Sequence, residues 1–303
     1  MSANVNLRLP GIIGVGPGRT GSTWLHRVLE GHVDLPYDVK ETQFFNSFYD
    51  KGIDWYAHNF RHATGQRPIV EIGPGYFFNP AAPDRIKTHI PDCKIVTTMR
   101  DPVDRIYSAY KAQSHSGRAP RGTFDEAVTS SPNLAGGSRY AAFLKSWFEH
   151  FGRENVLVTM YDELRAEPQS YLDRVTDFMR IERIALSARP DINDDVNSFG
   201  IAPKNRRLAR RASKFRRWLR GHQAYGVVNL LRRAGVWDFA YGRGEAFGRL
   251  TPEQDARLRK LYLPEVEALE ELMKIDLSAW KQPRGQRDAG TSPAVPLSRL
   301  TDR

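Results

Sequence analysis

The chain has 303 residues, enough for one large α/β domain or for two domains with a sizeable core. Hydrophobic residues make up 40% and charged residues 26%, which excludes a wholly disordered chain, and the single Cys93 excludes an internal disulfide framework and a cysteine-based zinc site. The formal net charge of +10 indicates an anionic partner, which could be a nucleotide, a nucleic acid, an acidic glycan or a membrane surface.

The first half of the chain alternates short apolar runs with helical patterns. Four runs rich in β-branched residues predict strands, at residues 12–15, 69–72, 94–99 and 156–160. Apolar residues at helical spacing predict helices at residues 22–29, 84–89, 102–112, 140–151 and 168–179. Strands that alternate with helices predict an α/β fold, with a central parallel sheet flanked by helices in three layers, of the P-loop-like kind.

The second half of the chain has a different pattern. After about residue 185 the strands stop, and a helical C-terminal portion is expected, with Thr251 capping a helix that runs to Leu272. We predict a single domain over residues 1–280, a variable, basic helical region at about 185–250, and a disordered tail at 281–303. No run approaches the roughly 18–20 apolar residues of a membrane span. Residues 1–10 hold no apolar signal core, so a cytoplasmic protein is expected.

A glycine-rich loop, Gly16-Pro17-Gly18-Arg19-Thr20-Gly21-Ser22-Thr23, follows the first predicted strand. Its GxGxxG string suits a dinucleotide fold, but Asp34 and Asp38, about 20 residues on, do not end a convincing second strand. A kinase-type P-loop requires a lysine before its Ser/Thr, and that lysine is absent here. Each of these two interpretations therefore lacks an essential element.

A third interpretation is a site for a nucleotide that carries an activated sulfate. Backbone amides of residues 20–24 would hold its 5′-phosphate at a helix N-terminus, and Arg19 would stabilise the charge that develops as the sulfuryl group leaves. Because a sulfuryl group carries less charge than a terminal phosphoryl group, a side-chain cation can replace a metal ion, and no metal is expected. The residues predicted to bind the nucleotide here are Gly18, Arg19, Thr20, Gly21, Ser22, Thr23 and Trp24.

A second motif, Arg100-Asp101-Pro102-x-x-Arg105-x-x-Ser108, follows the third predicted strand. Together with the glycine loop it resembles the donor-binding motifs of sulfotransferases that use 3′-phosphoadenosine-5′-phosphosulfate, in particular the heparan sulfate and carbohydrate branch. The resemblance implies that Arg100 and Ser108 bind the donor's 3′-phosphate. We assign Arg105 a structural role, paired with Asp101 one helical turn earlier.

The segment Lys40-Glu41-Thr42-Gln43-Phe44-Phe45 resembles the Lys-Glu-x-x-Phe-Phe segment of that branch. The resemblance implies that Glu41 is the general base for an acceptor hydroxyl. In the next matching segment, which starts at Glu71, Ile72 stands where the branch has a lysine. Lys40 is therefore the candidate to stabilise the leaving oxygen together with Arg19.

The resemblance fails between about residues 185 and 250. Residues 204–220 hold nine basic side chains, with Leu208, Ala212, Phe215 and Leu219 at helical spacing, which predicts a basic amphipathic helix. We predict that Lys204 and Arg206 grip the donor in place of the branch's Lys-Gly-Arg loop. Contact of residues 204–220 with an anionic membrane surface is a further hypothesis. Nucleic acid is not expected, because no recognition module is present.

The sequence thus predicts sulfuryl transfer to a hydroxyl of a carbohydrate, glycolipid or lipid, with adenosine 3′,5′-bisphosphate as product. Two alternatives stay open at this point. One is a Mg²⁺-dependent P-loop kinase, and the other is a non-catalytic module that binds a nucleotide or another anion.

Overall fold

A computed structural model of the protein describes residues 8–189, 192 and 201–283, apart from the side chains of Asn133 and Arg243. Four parallel strands form a sheet in the order β2-β1-β3-β4. They are β1 (Ile12–Gly16), β2 (Val70–Ile72), β3 (Lys94–Met99) and β4 (Val156–Met160). All four predicted strands are therefore confirmed, with bounds within one residue.

Fifteen α-helices are present in the described residues. Those before β4 are α1 (Ser22–Leu29), α2 (Phe44–Ser47), α3 (Ile53–Ala57), α4 (Ala82–His89), α5 (Pro102–His115), α6 (Phe124–Ser130), α7 (Pro132–Gly136) and α8 (Tyr140–Phe151). Those after β4 are α9 (Tyr161–Ala166), α10 (Pro168–Met179), α11 (Arg206–Gly221), α12 (Tyr225–Arg233), α13 (Val236–Tyr241), α14 (Pro252–Met273) and α15 (Ser278–Lys281).

The two faces of the sheet carry separate hydrophobic cores. Ile13 and Ile95 face a core that includes side chains of α8 and α14, whereas Ile12 and Val96 face a core built with α1 and α10. Neighbouring residues of a strand point to opposite faces, and both faces are covered. The predicted three-layer α/β fold is confirmed.

The sheet topology decides where the two predicted motifs lie. β1 pairs directly with β3, and both strands run in the same direction. The carboxyl ends of parallel strands meet at one edge of the sheet, where ligands bind in open α/β folds. The loop after β1 and the arginine after β3 are thereby brought to adjacent positions.

The prediction that the strands stop after residue 185 is wrong. Two short antiparallel strands, β5 (Ile201–Pro203) and β6 (Arg243–Ala246), pair across the insertion that holds α11 to α13. No sequence pattern predicted these two strands, because each is only a few residues long, and one contains Pro203 while the other contains Gly244.

The predicted helix near the C-terminus is confirmed and begins with a capping box. The Thr251 hydroxyl accepts a hydrogen bond from the Gln254 amide at 3.2 Å, and Gln254 Oε1 accepts one from the Thr251 amide at 3.1 Å. In the buried interior, Arg259 of α14 pairs with Asp101 at 3.1 Å and with Asp255 at 2.9 Å. This network fixes α14 against the start of α5, next to Arg100.

The remaining predictions on organisation stay predictions. The described residues reach residue 283, so most of the predicted tail at residues 281–303 lies outside them. No helix among the described residues combines the length and the apolar character that a bilayer crossing requires.

Candidate active site

The glycine loop has the shape of an anion cradle. Gly16 has a φ of 102° and Gly21 a φ of 92°, in the left-handed region that favours glycine. A Cβ atom would lie 2.2 Å from the Pro74 carbonyl oxygen at Gly16 and 2.5 Å from a Leu164 methyl group at Gly21. The Thr20 hydroxyl donates to the Pro17 carbonyl at 2.7 Å, so its side chain holds the turn from inside.

The backbone amides at the N-terminus of α1 border this cradle. Gly21 is the N-cap and offers no side chain, and the first helical hydrogen bond runs from the Leu25 amide to the Gly21 carbonyl at 3.0 Å. The amides of residues 22–24 come before that first bond, in the first turn of the helix. Backbone amides in this position can bind a phosphate group. The Trp24 side chain is buried against Tyr171, so only its backbone amide can serve a ligand.

The two predicted donor motifs touch each other. The Nε atom of Arg19 donates to the Ser108 hydroxyl at 2.9 Å, and Arg100 Nη1 donates to the Arg19 carbonyl at 3.0 Å. The Arg100 guanidinium also stacks 4.4 Å from the centre of the Tyr161 ring, and its Nε is buried without a partner among the described residues. A buried donor of this kind calls for an acceptor that a ligand would bring.

The electrostatic surroundings of Arg19 favour an anion. Burial, followed by the charge of Arg100, lowers the pKa of Arg19 to about 10, although Tyr161 opposes the shift. Arg19 thus stays charged at neutral pH, but its positive form is destabilised by desolvation and by a like charge. A phosphate or sulfate group beside Arg19 and Arg100 would relieve both costs.

Lys40 links the glycine loop to the predicted base. Its Nζ donates to the Thr23 hydroxyl at 2.6 Å and to Glu41 Oε1 at 3.2 Å. The other carboxylate oxygen of Glu41 accepts from Gln43 Nε2 at 2.9 Å. A cation, a carboxylate and the phosphate cradle therefore form one continuous group of polar atoms.

The backbone beneath Glu41 is held by Glu71, a residue that sequence reasoning did not select. Glu71 is fully buried, and its carboxylate accepts hydrogen bonds from the Thr42 amide at 2.9 Å, the Thr42 hydroxyl at 2.6 Å and the Tyr56 hydroxyl at 2.7 Å. Tyr76 donates to it as well, at 3.0 Å. The signal for such a role was an acid inside the apolar run Val70-Glu71-Ile72, because a buried acid requires partners.

Replacing Glu71 by Gln should displace Thr42 and with it Glu41. We expect a loss of about 1–3 kcal/mol of folding free energy and a roughly tenfold lower turnover with unchanged nucleotide affinity.

Burial raises the pKa of Glu71, although its hydrogen bonds oppose the rise. A raised pKa stabilises the fold below the unfolded-state value of 4.5, and this contribution is lost as pH rises through the folded-state value. Urea unfolding of both proteins across that range should show the difference in stability shrinking with pH; a constant difference would contradict it.

Arg105 lies deeper in the site than its predicted structural role requires. It is buried, its Nε donates to the Ser138 hydroxyl at 2.7 Å, and its Nη2 is buried without a partner among the described residues. Its guanidinium lies 5.3 Å from the centre of the Phe78 ring, in the wall of the cavity. Arg105 is therefore a further candidate for contact with an anionic ligand.

These groups surround a cavity of about 770 Å³. Arg19, Ser22, Thr23, Lys40 and Glu41 line one part of it. A family model described as a sulfotransferase domain matches residues 9–190, which is more than half of the chain. The chain belongs to the sulfotransferase family. The family and the class of enzyme that the two motifs indicated are thereby confirmed.

Curated sulfotransferases similar to this one include two human proteins. The bifunctional heparan sulfate N-deacetylase/N-sulfotransferase 3 of Homo sapiens is 31% identical over 196 residues, which cover 57% of this chain and 22% of that protein. The heparan sulfate glucosamine 3-O-sulfotransferase 3B1 of Homo sapiens is 32% identical over 193 residues, which cover 60% of this chain and 49% of that protein. The chain thus matches half or less of the length of these relatives.

A solved structure shows the same fold over nearly the whole chain. The sulfotransferase from Alicyclobacillus acidocaldarius aligns with a TM-score of 0.63 and 22% sequence identity, covering 91% of this chain and all of that one. At this level of identity, the likeness concerns the fold alone.

Three residues that bear on the predicted site, Ile72, Lys204 and Arg206, are not part of the cavity lining. Ile72 packs in the core beside α1, outside the cavity, so Lys40 is the described lysine that lies between cradle and base. Lys204 and Arg206 do not line the cavity, and their role as a donor grip stays a prediction. Other cations of α11 line it instead, although sequence reasoning selected none of them individually.

Proposed function

We propose that this sulfotransferase moves a sulfuryl group from 3′-phosphoadenosine-5′-phosphosulfate to a hydroxyl of a carbohydrate acceptor. The observation that carries the proposal is the direct contact between the two donor motifs, Arg19 to Ser108 at 2.9 Å and Arg100 to the Arg19 carbonyl at 3.0 Å. A nucleotide with phosphates at both its 5′ and 3′ positions requires two anion sites side by side. Arg100 Nε, which is buried without a partner among the described residues, can donate to such a ligand. The glycines at positions 16 and 21 leave room for it in the cradle.

The residues of the cradle bind and orient the donor. The amides of residues 22–24 and the hydroxyls of Ser22 and Thr23 hold the 5′-phosphate, while Arg100 and Ser108 hold the 3′-phosphate. When bound, the donor supplies a sulfuryl group on a good leaving group. Arg19 must exchange its contact with Ser108 for one with the ligand, which its flexible side chain permits.

The proton and the developing charge are handled by different residues. Glu41 accepts the proton of the acceptor hydroxyl while that oxygen attacks sulfur in line. As the bond from sulfur to the bridging oxygen breaks, Arg19 and Lys40 stabilise the negative charge on that oxygen. Lys40 suits this task because it already lies between Thr23 of the cradle and Glu41.

A Mg²⁺-dependent kinase is a poorer fit to the geometry. The acid nearest the end of β3 is Asp101, which such an enzyme would need for its metal. Its Oδ1 accepts from the Val103 amide at 2.8 Å, and its Oδ2 pairs with Arg259 at 3.1 Å. Both carboxylate oxygens are therefore engaged in holding α5 and α14.

The nature of the acceptor draws support from the names of the relatives, which are heparan sulfate sulfotransferases. A glycolipid or lipid acceptor and a cytoplasmic location remain proposals, as does contact of α11 with an anionic membrane. The exposed, stacked Phe215 and Trp218 on α11 favour the membrane contact, which liposome co-sedimentation would test.

Calorimetry without Mg²⁺ tests the donor. Adenosine 3′,5′-bisphosphate should bind at least tenfold more tightly than ADP, because only the bisphosphate fills both anion sites. Arg100→Ala should remove most of that difference, whereas Arg153→Ala, on the surface beside Phe148, should leave it unchanged. Equal affinity for the two nucleotides, or binding that depends on Mg²⁺, would count against the proposed donor. Nucleotide binding without any transfer would favour the non-catalytic module.

A further inference from the structure

The cavity holds far more positive charge than a donor site needs. Nine cationic side chains line it, against Glu41 as the one acid among the described lining residues. Arg19, Lys40 and Arg105 lie near the proposed donor and transfer positions. The other six are Arg118, Arg210, Lys214, Arg216, Arg217 and Arg220.

Five of these six cations come from α11, and the helix geometry explains how. Residues 210, 214, 217 and 220 recur at three- and four-residue spacing, which places them on one side of a helix. Ala209 and Leu219 anchor α11 to the protein, and the Ser213 hydroxyl donates to the Ser116 carbonyl at 3.0 Å. The helix is thus fixed with its basic side towards the cavity, while Phe215 and Trp218 remain exposed.

The C-terminal half of α11 lies on the Glu41 side of the cavity. Burial is the largest cause that lowers the pKa values of Arg118 and Arg220; the charge of Arg216 lowers them further, and the charge of Glu41 opposes both. A Cβ atom on Gly221 would lie 3.0 Å from the Phe48 ring, and Phe48 also lines the cavity. Arg118 and Arg220 thus line the same cavity as Glu41 and are close enough to interact with its charge.

The partners of these arginines in the described part of the chain include neutral and aromatic groups. Within the described residues, no carboxylate forms an ion pair with a cation of α11. Arg118 is held by the Ser116 hydroxyl at 2.8 Å, Arg216 lies 5.4 Å from the Tyr241 ring centre, and the Nε of Arg220 is buried without a described partner. Guanidinium groups that are crowded and partly desolvated require an anion from outside.

We propose that Arg118, Arg216 and Arg220 form an anion subsite for the acceptor. It binds a carboxylate of an acidic sugar adjacent to the hydroxyl that Glu41 deprotonates. This inference rests on the proposed function, and it adds the charge of the acceptor and the residues that select it. Arg118 lies on the turn after α5, within the family match at residues 9–190. Arg216 and Arg220 lie on α11, outside that match.

The test compares two acceptors that differ only in charge. One is an oligosaccharide of alternating uronic acid and glucosamine, and the other is the same oligosaccharide with its carboxylates reduced to alcohols. Binding is measured by calorimetry with the enzyme saturated with adenosine 3′,5′-bisphosphate. The acidic form should bind about tenfold more tightly or better, and the advantage should shrink with added salt. Equal binding of the two forms, or binding of neither, would overturn the subsite.

Matched variants assign the effect to α11. Arg216→Gln combined with Arg220→Gln should abolish the preference for the acidic form and keep the affinity for adenosine 3′,5′-bisphosphate within about twofold of the parent. The pair Arg216→Lys and Arg220→Lys retains the charge and should keep most of the preference. Arg232→Gln with Arg233→Gln, on the exposed end of α12, is the control.

The outcomes separate the two proposals. If the bisphosphate does not bind the parent enzyme, the proposed function fails. If it binds but the acidic sugar has no advantage, only the subsite fails. Loss of bisphosphate affinity in the glutamine pair would assign these arginines to the donor and would also overturn the subsite.

Discussion

Glu41→Gln should lower the turnover number by about 10²–10⁴-fold while nucleotide affinity stays within about twofold of the parent. Glutamine has nearly the same shape and can still accept from Lys40 through its carbonyl oxygen, but it cannot take a proton at neutral pH. The effect should fall on the chemical step, because Glu41 touches the cavity and lies outside the cradle. Transfer of labelled sulfate to saccharides of a native cell extract, followed by mass spectrometry, measures it.

The control for this experiment is Glu149→Gln. Glu149 is an exposed glutamate of α8 that pairs with Lys145 at 3.9 Å, and it does not line the cavity. It should behave like the parent enzyme in every assay. Full transfer by Glu41→Gln would remove Glu41 from the role of base, and an equal loss in both variants would indicate a general effect on folding.

The two motifs proposed to bind the donor could be recognised because their sequence signals are local. A buried strand, a glycine loop and a helix follow one another within residues 12–29, and Arg100 directly follows the buried strand β3. Each signal lies in a few consecutive residues, and the parallel pairing of β1 with β3 then brings them together. The pairing of β1 with β3 was not predicted, and this pairing brings Arg19 within hydrogen-bond distance of Ser108.

The acceptor half could not be predicted in the same way. Periodicity predicted that residues 204–220 form an amphipathic helix, and α11 confirms it. Leu208 and Phe215 of the expected apolar stripe are nevertheless exposed, because α12 and α13 pack elsewhere on the helix. A helical pattern defines two sides, but contacts from distant parts of the chain decide which side meets the cavity.

Glu71 shows a second limit of local reasoning. Its partners Thr42, Tyr56 and Tyr76 come from three separate segments, and their convergence on one carboxylate depends on the tertiary fold. Nearby, Phe44 stacks on Tyr56 with ring centres 4.7 Å apart. These aromatic residues lie in short helices without a clear period, which is why the support beneath Glu41 went unrecognised.

Lys40→Met should lower the turnover number by about 10²–10³-fold and weaken nucleotide binding much less. The lysine cation lies between Thr23 and Glu41, where charge develops only as the sulfuryl group departs, so its contribution belongs to the transition state. Methionine retains the length of the side chain and removes the charge. Lys145→Met, on the exposed side of α8, is the matched control.

The pattern of kinetic constants decides whether Lys40 serves the reaction or the donor. A fall in turnover number with little change in donor KM would place Lys40 at the leaving oxygen. Lys40 would then replace the lysine that the resembled branch has at the position of Ile72. A rise in donor KM with normal turnover would assign it to ground-state binding alone. Retention of both constants would leave Arg19 as the single cation that acts on the leaving group, and the bond from Lys40 to Thr23 would then serve only to fix the loop.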